Sequence, residues 1–258
     1  MNTTLVFLRL RLLLRQKIGW LSLLAGLFFI LVGYTTATIS FVSPAKIFWD
    51  FALGLSFVLV HLLGLYLAAQ LFHDEKERRT LHLVLVSGVS RSRWLVANIL
   101  GIFLGLMVIE AAWFGMTEIM GVGLLESWGG WIVVQAKLLQ AMSLLIVLSY
   151  TALFSLMLRP LLALILSLSL TVFLYSMSSI ERVFSDELSG AFVNSTWALS
   201  VIKIAKFLPP LEWFDLKMFV GYHDQIAWST VGLTMLLGLA WSALLLGLAS
   251  WRFSRLDL

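Results

Sequence analysis

Long apolar runs constrain this chain more than any other feature of its sequence. A membrane hydrocarbon core about 30 Å thick is crossed by about 20 apolar residues in a helix. Six runs of 21 to 26 residues meet this requirement with few charged side chains, and they cover residues 18–42, 47–72, 94–119, 138–158, 160–180 and 226–250. The runs predict an all-α integral membrane protein with six transmembrane helices, and residues 1–258 form one transmembrane domain.

The composition excludes most other classes of protein. The chain is 60% hydrophobic and 12% charged, whereas soluble domains are about 45–50% apolar and about 25% charged. A soluble fold of 258 residues has too little interior to bury the excess. With no cysteine, the chain can form neither disulfides nor thiolate metal sites. A cytosolic enzyme, a disordered chain and a disulfide-rich secreted module are therefore excluded.

The distribution of lysine and arginine predicts the orientation. If the N-terminus is cytoplasmic, twelve of the 18 basic residues lie on the inner side of the six predicted spans. Basic residues concentrate in cytoplasmic loops. Both termini are therefore expected in the cytoplasm, and the net charge of +4 indicates cytoplasmic loops and not nucleic-acid binding.

Two segments outside the spans have helical or partly buried patterns. Residues 1–17 place Thr4, Arg11 and Arg15 on one helical face among leucines, which predicts an interfacial helix on the inner membrane surface; a plain basic flank is the alternative. Residues 181–225 are rich in aromatic side chains. They predict an outer re-entrant or interfacial segment with a short amphipathic helix and a half-buried turn.

The loop at residues 73–93 carries the most informative pattern. Charged residues precede the apolar stretch TLHLVLV at residues 80–86, which is too short to span a membrane. Ser87-Gly88 then interrupts the stretch before Arg91 and Arg93. The pattern fits a short helix presented to a soluble partner, and it fits equally an interfacial helix anchored among lipid headgroups.

This loop resembles that of the membrane subunits of type-2 ATP-binding-cassette (ABC) exporters. That family has an acidic residue, a Thr-Leu pair, apolar residues, a break and then Ser-Arg, although its usual proline is Gly88 here, which implies a more flexible loop. Three features elsewhere in the chain agree with the resemblance, namely the Arg159-Pro160 turn, the stretch from Pro210 to Phe214, and Gly221. The residues at the matching positions of the loop are Glu75 or Glu77, Thr80, Leu81, Leu85, Ser87, Val89, Ser90 and Arg91.

The resemblance implies a permease that exports a lipid-like or other substrate from the bacterial cytoplasmic membrane. The loop would be a coupling helix seated in a separate ATP-binding-cassette ATPase, which binds ATP and Mg; this chain has no GxxxxGK[ST] motif. The implied partners are that ATPase, a second copy of the chain or a related permease, and membrane lipids. The predicted coupling residues are Glu75, Glu77, Arg78, Thr80, Leu81, Leu85, Ser87, Gly88, Val89, Ser90 and Arg91.

Ionisable residues within spans are costly and are therefore candidates for function. His61 is near the middle of the second span. Glu110 is about 25 Å along a helix from Arg93, and Lys137 is expected at the outer end of the fourth span. His61 and Glu110 are the candidate pathway residues. The plainer interpretations are a packed neutral imidazole for His61 and a water-facing carboxylate for Glu110.

Three alternative functions were weighed. A proton-coupled secondary transporter would use the intramembrane polar residues, but such proteins usually carry charges or broken helices at mid-membrane. An ABC membrane subunit could instead transmit ATPase motion to periplasmic or envelope proteins without transport. An intramembrane protease is suggested by Asp74-Glu75 with Arg79, but FxxxH at Phe57 to His61 precedes that motif and no later histidine motif follows. No catalytic, cofactor or metal residue is therefore predicted in this chain.

Overall fold

A computed structural model describes residues 3–15, 17–40, 43–77, 88–125, 130–177, 179, 207–216 and 226–255. Within these ranges the side chains of residues 74–76 and 123–125 are not described. Every regular element in this part of the chain is helical. The α-helices are α1 (Thr3–Arg15), α2 (Lys17–Ile39), α3 (Pro44–Glu77), α4 (Arg91–Leu125), α5 (Gly130–Ser155), α6 (Pro160–Tyr175) and α7 (Trp228–Ser254), and Leu211–Phe214 form a 3-10 helix.

Five of the described helices are long and apolar enough to cross a membrane, namely α2, α3, α4, α5 and α7. The all-helical membrane fold predicted from the sequence is confirmed. The fifth predicted span corresponds to α6, which has 16 residues and is therefore about 24 Å long. Six spans and two cytoplasmic termini stay predictions.

Helix α5 is the central helix of the bundle. It contacts α3, α4, α6 and α7, and most of its residues are buried. Its buried hydroxyl groups bond to carbonyls of the preceding turn, as Ser149 does to Leu145 and Thr151 to Val147. Because the polar groups are satisfied within the helix, α5 can be enclosed on several sides.

The side chain of Gln135 on α5 fixes the start of α7. Its amide nitrogen donates to the Ile226 carbonyl at 2.7 Å, and its amide oxygen accepts from the Ile226 N–H at 3.2 Å. Both backbone groups of Ile226 are therefore satisfied just before α7 begins.

Helix α1 is a separate element that packs on α4. Val6 and Leu13 are its buried residues, and they meet α4 at Gly101 and Gly105. A Cβ atom at Gly101 would lie 2.7 Å from the Arg9 Cβ atom and 3.0 Å from the Val6 carbonyl oxygen. The Gly-x-x-x-Gly spacing thus allows the close approach of the two helices. The predicted N-terminal helix is confirmed as a helix, and its position at the membrane surface stays a prediction.

The 3-10 helix packs against the helices of the bundle. Helix α6 begins at Pro160, after Arg159 in an extended conformation, as the predicted turn requires. The 3-10 helix contacts α5 and α6, and the buried Phe214 ring lies against Gly238 of α7. Gly238 is ten residues inside α7, so the turn reaches well into the bundle. The amphipathic helix was predicted over residues 195–208, of which 195–206 lie outside the described residues.

Candidate functional site

The predicted coupling loop begins at the end of α3. This helix continues to Glu77, whose exposed carboxylate lies 3.0 Å from the His73 imidazole, one helical turn earlier. Glu75 is within α3, but its side chain is outside the described part of the protein. Arg78, Thr80, Leu81, Leu85 and Ser87 also lie outside it. The role predicted for these residues in contacting an ATPase stays a prediction.

The end of the loop is ordered around the start of α4. Gly88 has a φ of +84°, a left-handed conformation that proline cannot adopt. Val89 packs against the hydrophobic core. Ser90 caps α4, because its hydroxyl oxygen accepts from the Arg93 N–H at 3.4 Å. The greater flexibility predicted for the loop from Gly88 stays a prediction.

The Arg91 side chain reaches the end of the last helix. Its guanidinium donates to the carbonyl oxygens of Phe253 and Ser254, each at 3.4 Å. The last carbonyls of a helix have no partner within the helix, and a cation there is also favoured by the helix dipole. Arg91 therefore joins the beginning of α4 to the end of α7.

His61 lies in the wall of a cavity between α3 and α6. The cavity has a volume of about 280 Å³ and is lined mainly by apolar side chains, with His61, Thr171, Tyr175 and Asp215 among its polar residues. Its lining residues Val58, Leu62 and Val172 are exposed on the surface of the protein. A cavity of this kind can receive an apolar group from the side of the bundle.

His61 contacts the preceding turn of its own helix and a hydroxyl group of α5. Its Nδ1 atom is 2.8 Å from the Phe57 carbonyl oxygen and donates to it. Its Nε2 atom is 3.2 Å from the Ser143 hydroxyl oxygen on α5, and the Ser143 hydroxyl itself donates to the Gln140 carbonyl oxygen at 2.8 Å. The Phe57 ring packs on the imidazole with centroids 4.2 Å apart. His61 is thus a buried imidazole in contact with a neighbouring helix, and its neutral form stays a prediction.

Glu110 is buried among three helices and does not face the cavity. It is 5% exposed and forms an ion pair with Lys137 of α5. The Lys137 ammonium also donates to the Ser56 hydroxyl at 2.7 Å and to the Gln140 side-chain oxygen at 3.3 Å. The interpretation of Glu110 as a water-facing carboxylate is wrong because its depth along α4 coincides with a cation on α5.

Lys137 was predicted at the end of a span, and its ion pair was not predicted. Helix α5 begins at Gly130, seven residues before Lys137, because the uncharged residues around Trp131 extend the helix at its N-terminal end. The sequence also did not indicate Ser56, which accepts a hydrogen bond from Lys137, or Tyr175, which lines the cavity beside His61. One signal was available, since a glutamate within a predicted span and a lysine at the end of the next indicate a pair. Among the described residues, no group of three or more His, Cys, Asp or Glu could hold a metal ion.

The long apolar helices, the enclosed α5 and the intramembrane ion pair define a multi-pass integral membrane protein. Residues 32–120 match the model of a family described as ABC-2 membrane transporter related. The matched segment runs from α2 through α3 and the loop into α4. It confirms the resemblance to type-2 ABC permeases and supports a membrane subunit of an ABC transporter, a class of subunit that is in general non-catalytic. No curated protein matches the chain.

Proposed function

We propose that this chain is the permease subunit of an ATP-driven exporter in a bacterial cytoplasmic membrane. The match over residues 32–120 carries the proposal, because it covers the loop and both helices that flank it. Energy comes from a separate ATPase that binds ATP and Mg and contacts the loop at residues 78–87. The charged and apolar residues of this loop supply the mixed contact surface that such a partner requires.

The substrate in this proposal is lipid-like and passes along the cavity between α3 and α6. The cavity is mainly apolar, and exposed apolar side chains surround its opening. An acyl chain in the surrounding bilayer has direct access to such an opening. A second copy of the chain, or a related permease, faces this surface and completes the pathway.

The proposal is tested with the chain and its ATPase in vesicles of phosphatidylethanolamine and phosphatidylglycerol. Fluorescent analogues of both lipids report movement from one leaflet to the other on addition of ATP. Val172→Trp fills the cavity opening, whereas Leu236→Trp places the same ring on the exposed face of α7. We expect Val172→Trp to abolish ATP-dependent lipid movement and Leu236→Trp to leave it intact.

Three results would contradict separate parts of this proposal. A chain that purifies from its native host without an ATPase contradicts the energy source. Lipid movement by the Val172→Trp complex at the rate of the unmodified complex contradicts the cavity as the route. A complex that hydrolyses ATP without moving either lipid contradicts lipid export and favours a subunit that transmits motion to envelope proteins.

A further inference from the structure

The segment Val89-Ser90-Arg91 contacts the rest of the protein through each of its side chains, although Ser90 is exposed and Val89 and Arg91 are partly buried. Val89 contacts the core, and the Ser90 hydroxyl accepts a hydrogen bond from the backbone N–H of Arg93 in the first turn of α4. Arg91 donates to two carbonyl oxygens at the end of α7. A residue whose side chain is bound in this way has little capacity left to contact a soluble partner. Its role in the chain therefore differs from that of the apolar part of the loop.

The end of α7 is held from both sides of the loop. Phe253 is fully buried. Its ring packs edge-on against Phe72 near the end of α3, with centroids 5.5 Å apart, and against Trp94 in the first turn of α4, at 5.6 Å. Because Phe72 precedes the loop and Trp94 follows it, a displacement of either flank acts on the same aromatic side chain.

The polar and aromatic contacts together form one connection. Arg91 holds the backbone of Phe253, and Phe72 and Trp94 hold its ring. Dense packing transmits a displacement because a filled interior has no free volume to absorb it. Arg91 also fixes the backbone, which the ring contacts alone leave free to turn.

We propose that Val89-Ser90-Arg91 is a mechanical joint that transmits movement of the coupling loop to the C-terminal turn of α7, with Arg91 as its positioning residue. The ATPase contacts are then confined to the loop before Gly88. This inference rests on the proposed function for the source of the movement, whereas the joint itself is a property of the isolated chain.

The first experiment uses the chain alone in lipid nanodiscs. The sequence has no cysteine, so Ser254→Cys provides a single, exposed attachment point for a spin label at the end of α7. Arg91→Gln is compared with Arg93→Gln, which removes the same charge from an exposed position two residues away. Loss of the Arg91 bonds is expected to lower the equilibrium constant for the immobilised label by about tenfold, the effect of losing a hydrogen bond from a charged donor.

The control variant should keep the immobilised signal. Arg91→Lys, which retains the positive charge but lacks the planar set of donors, is expected to fall between the unmodified chain and Arg91→Gln. A label on Leu236→Cys, far from the joint on α7, should not respond to any of the three substitutions. An unchanged Ser254→Cys signal in Arg91→Gln overturns the joint.

The second experiment repeats the measurement with the ATPase bound. Trapping with ATP and vanadate should change the Ser254→Cys signal in the unmodified complex and leave it nearly unchanged with Arg91→Gln. Release of the ATPase by Arg91→Gln, but not by Arg93→Gln, overturns the inference because it makes Arg91 a contact residue. If the unmodified chain binds no ATPase, the proposed function fails, and the nanodisc experiment still decides whether the joint exists.

Discussion

Lys137 satisfies acceptors from three helices with one ammonium group. Ser56 of α3, Glu110 of α4 and Gln140 of α5 each accept a hydrogen bond from it, which matches the three N–H donors of a lysine. The pair compensates two charges that would otherwise be buried singly. Its residues thus fix the relative positions of α3, α4 and α5.

Lys137→Met is expected to destabilise the protein strongly because it leaves the Glu110 carboxylate buried without its cation. Breaking a buried ion pair in this way costs about 3–5 kcal/mol. The double variant Glu110→Gln with Lys137→Met should recover much of that loss because no charge is then buried. Thermal unfolding in mild detergent measures both effects.

Lys17→Met is the matched control, since Lys17 is exposed at the start of α2. Its unfolding temperature should stay close to that of the unmodified protein. A double variant no more stable than Lys137→Met alone would show that the ion pair does not account for the loss.

The conformation of Gly88 leads to a second prediction at the scale of one residue, which concerns the free energy of unfolding. Nothing lies within 4 Å of a Cβ atom built at this position, so alanine meets no steric obstacle beyond its own backbone. Gly88→Ala should cost about 1–2 kcal/mol because of the positive φ. Gly88→Pro, which restores the residue usual in the family, should cost more because its ring fixes φ at a negative value.

Unfolding of the two Gly88 variants in denaturant, with Gly115→Ala as the control, measures these costs. Gly115 also has nothing within 4 Å of a built Cβ atom. Equal stability of Gly88→Pro and the unmodified chain would contradict the left-handed conformation at residue 88.

At the scale of elements, the sequence predicted the existence of the helices better than their ends. Long apolar runs in the sequence predicted α2, α3, α4, α5 and α7, because hydropathy determines which segments leave water for the membrane. The length of α6 could not be predicted, since the apolar run of the sequence continues to residue 180, past the end of the helix at Tyr175. The packing of α1 on α4 could not be predicted either, because glycine is common in apolar spans and does not by itself indicate a contact between two helices.

Gly101→Val should separate α1 from α4. The added methyl groups would meet the Arg9 side chain and the Val6 backbone, and backbone cannot move aside as easily as a side-chain end. Leu13→Cys then reports the separation: Leu13 is 3% exposed, so a maleimide should react with it quickly in Gly101→Val and slowly in the unmodified background.

Gly115→Val provides the control on the same helix. It adds the same side chain to α4 at a position with open space. Rapid labelling of Leu13→Cys in both valine variants would indicate general loosening of the bundle and not a specific loss of the α1 contact.

At the scale of the whole molecule, composition alone predicts the membrane class, and the loop motif predicts the family. The ion pair, the cavity and the Arg91 bonds could not be predicted in the same way. They join residues that are far apart in the sequence, such as Arg91 and Phe253, and no periodic pattern indicates which faces of two helices meet.

The predicted orientation can be measured with single cysteines in the cysteine-free chain. Lys46→Cys, near the start of α3, should react with a membrane-impermeant maleimide in intact spheroplasts, whereas Arg255→Cys should react only after lysis. The prediction follows from the excess of basic residues on the inner side. Labelling of Arg255→Cys in intact spheroplasts would reverse the orientation.

The two hydrogen bonds between Gln135 and Ile226 have a consequence for biosynthesis. Helix α5 leaves the ribosome long before α7, yet Gln135 finds its backbone partners only at residue 226, and much of the buried surface of α5 is covered by α7. The Gln135 amide therefore cannot form these two bonds until translation is nearly finished. A chain that ends before residue 226 lacks both of these hydrogen bonds, so the last helix is needed to complete the polar contacts of a helix made much earlier.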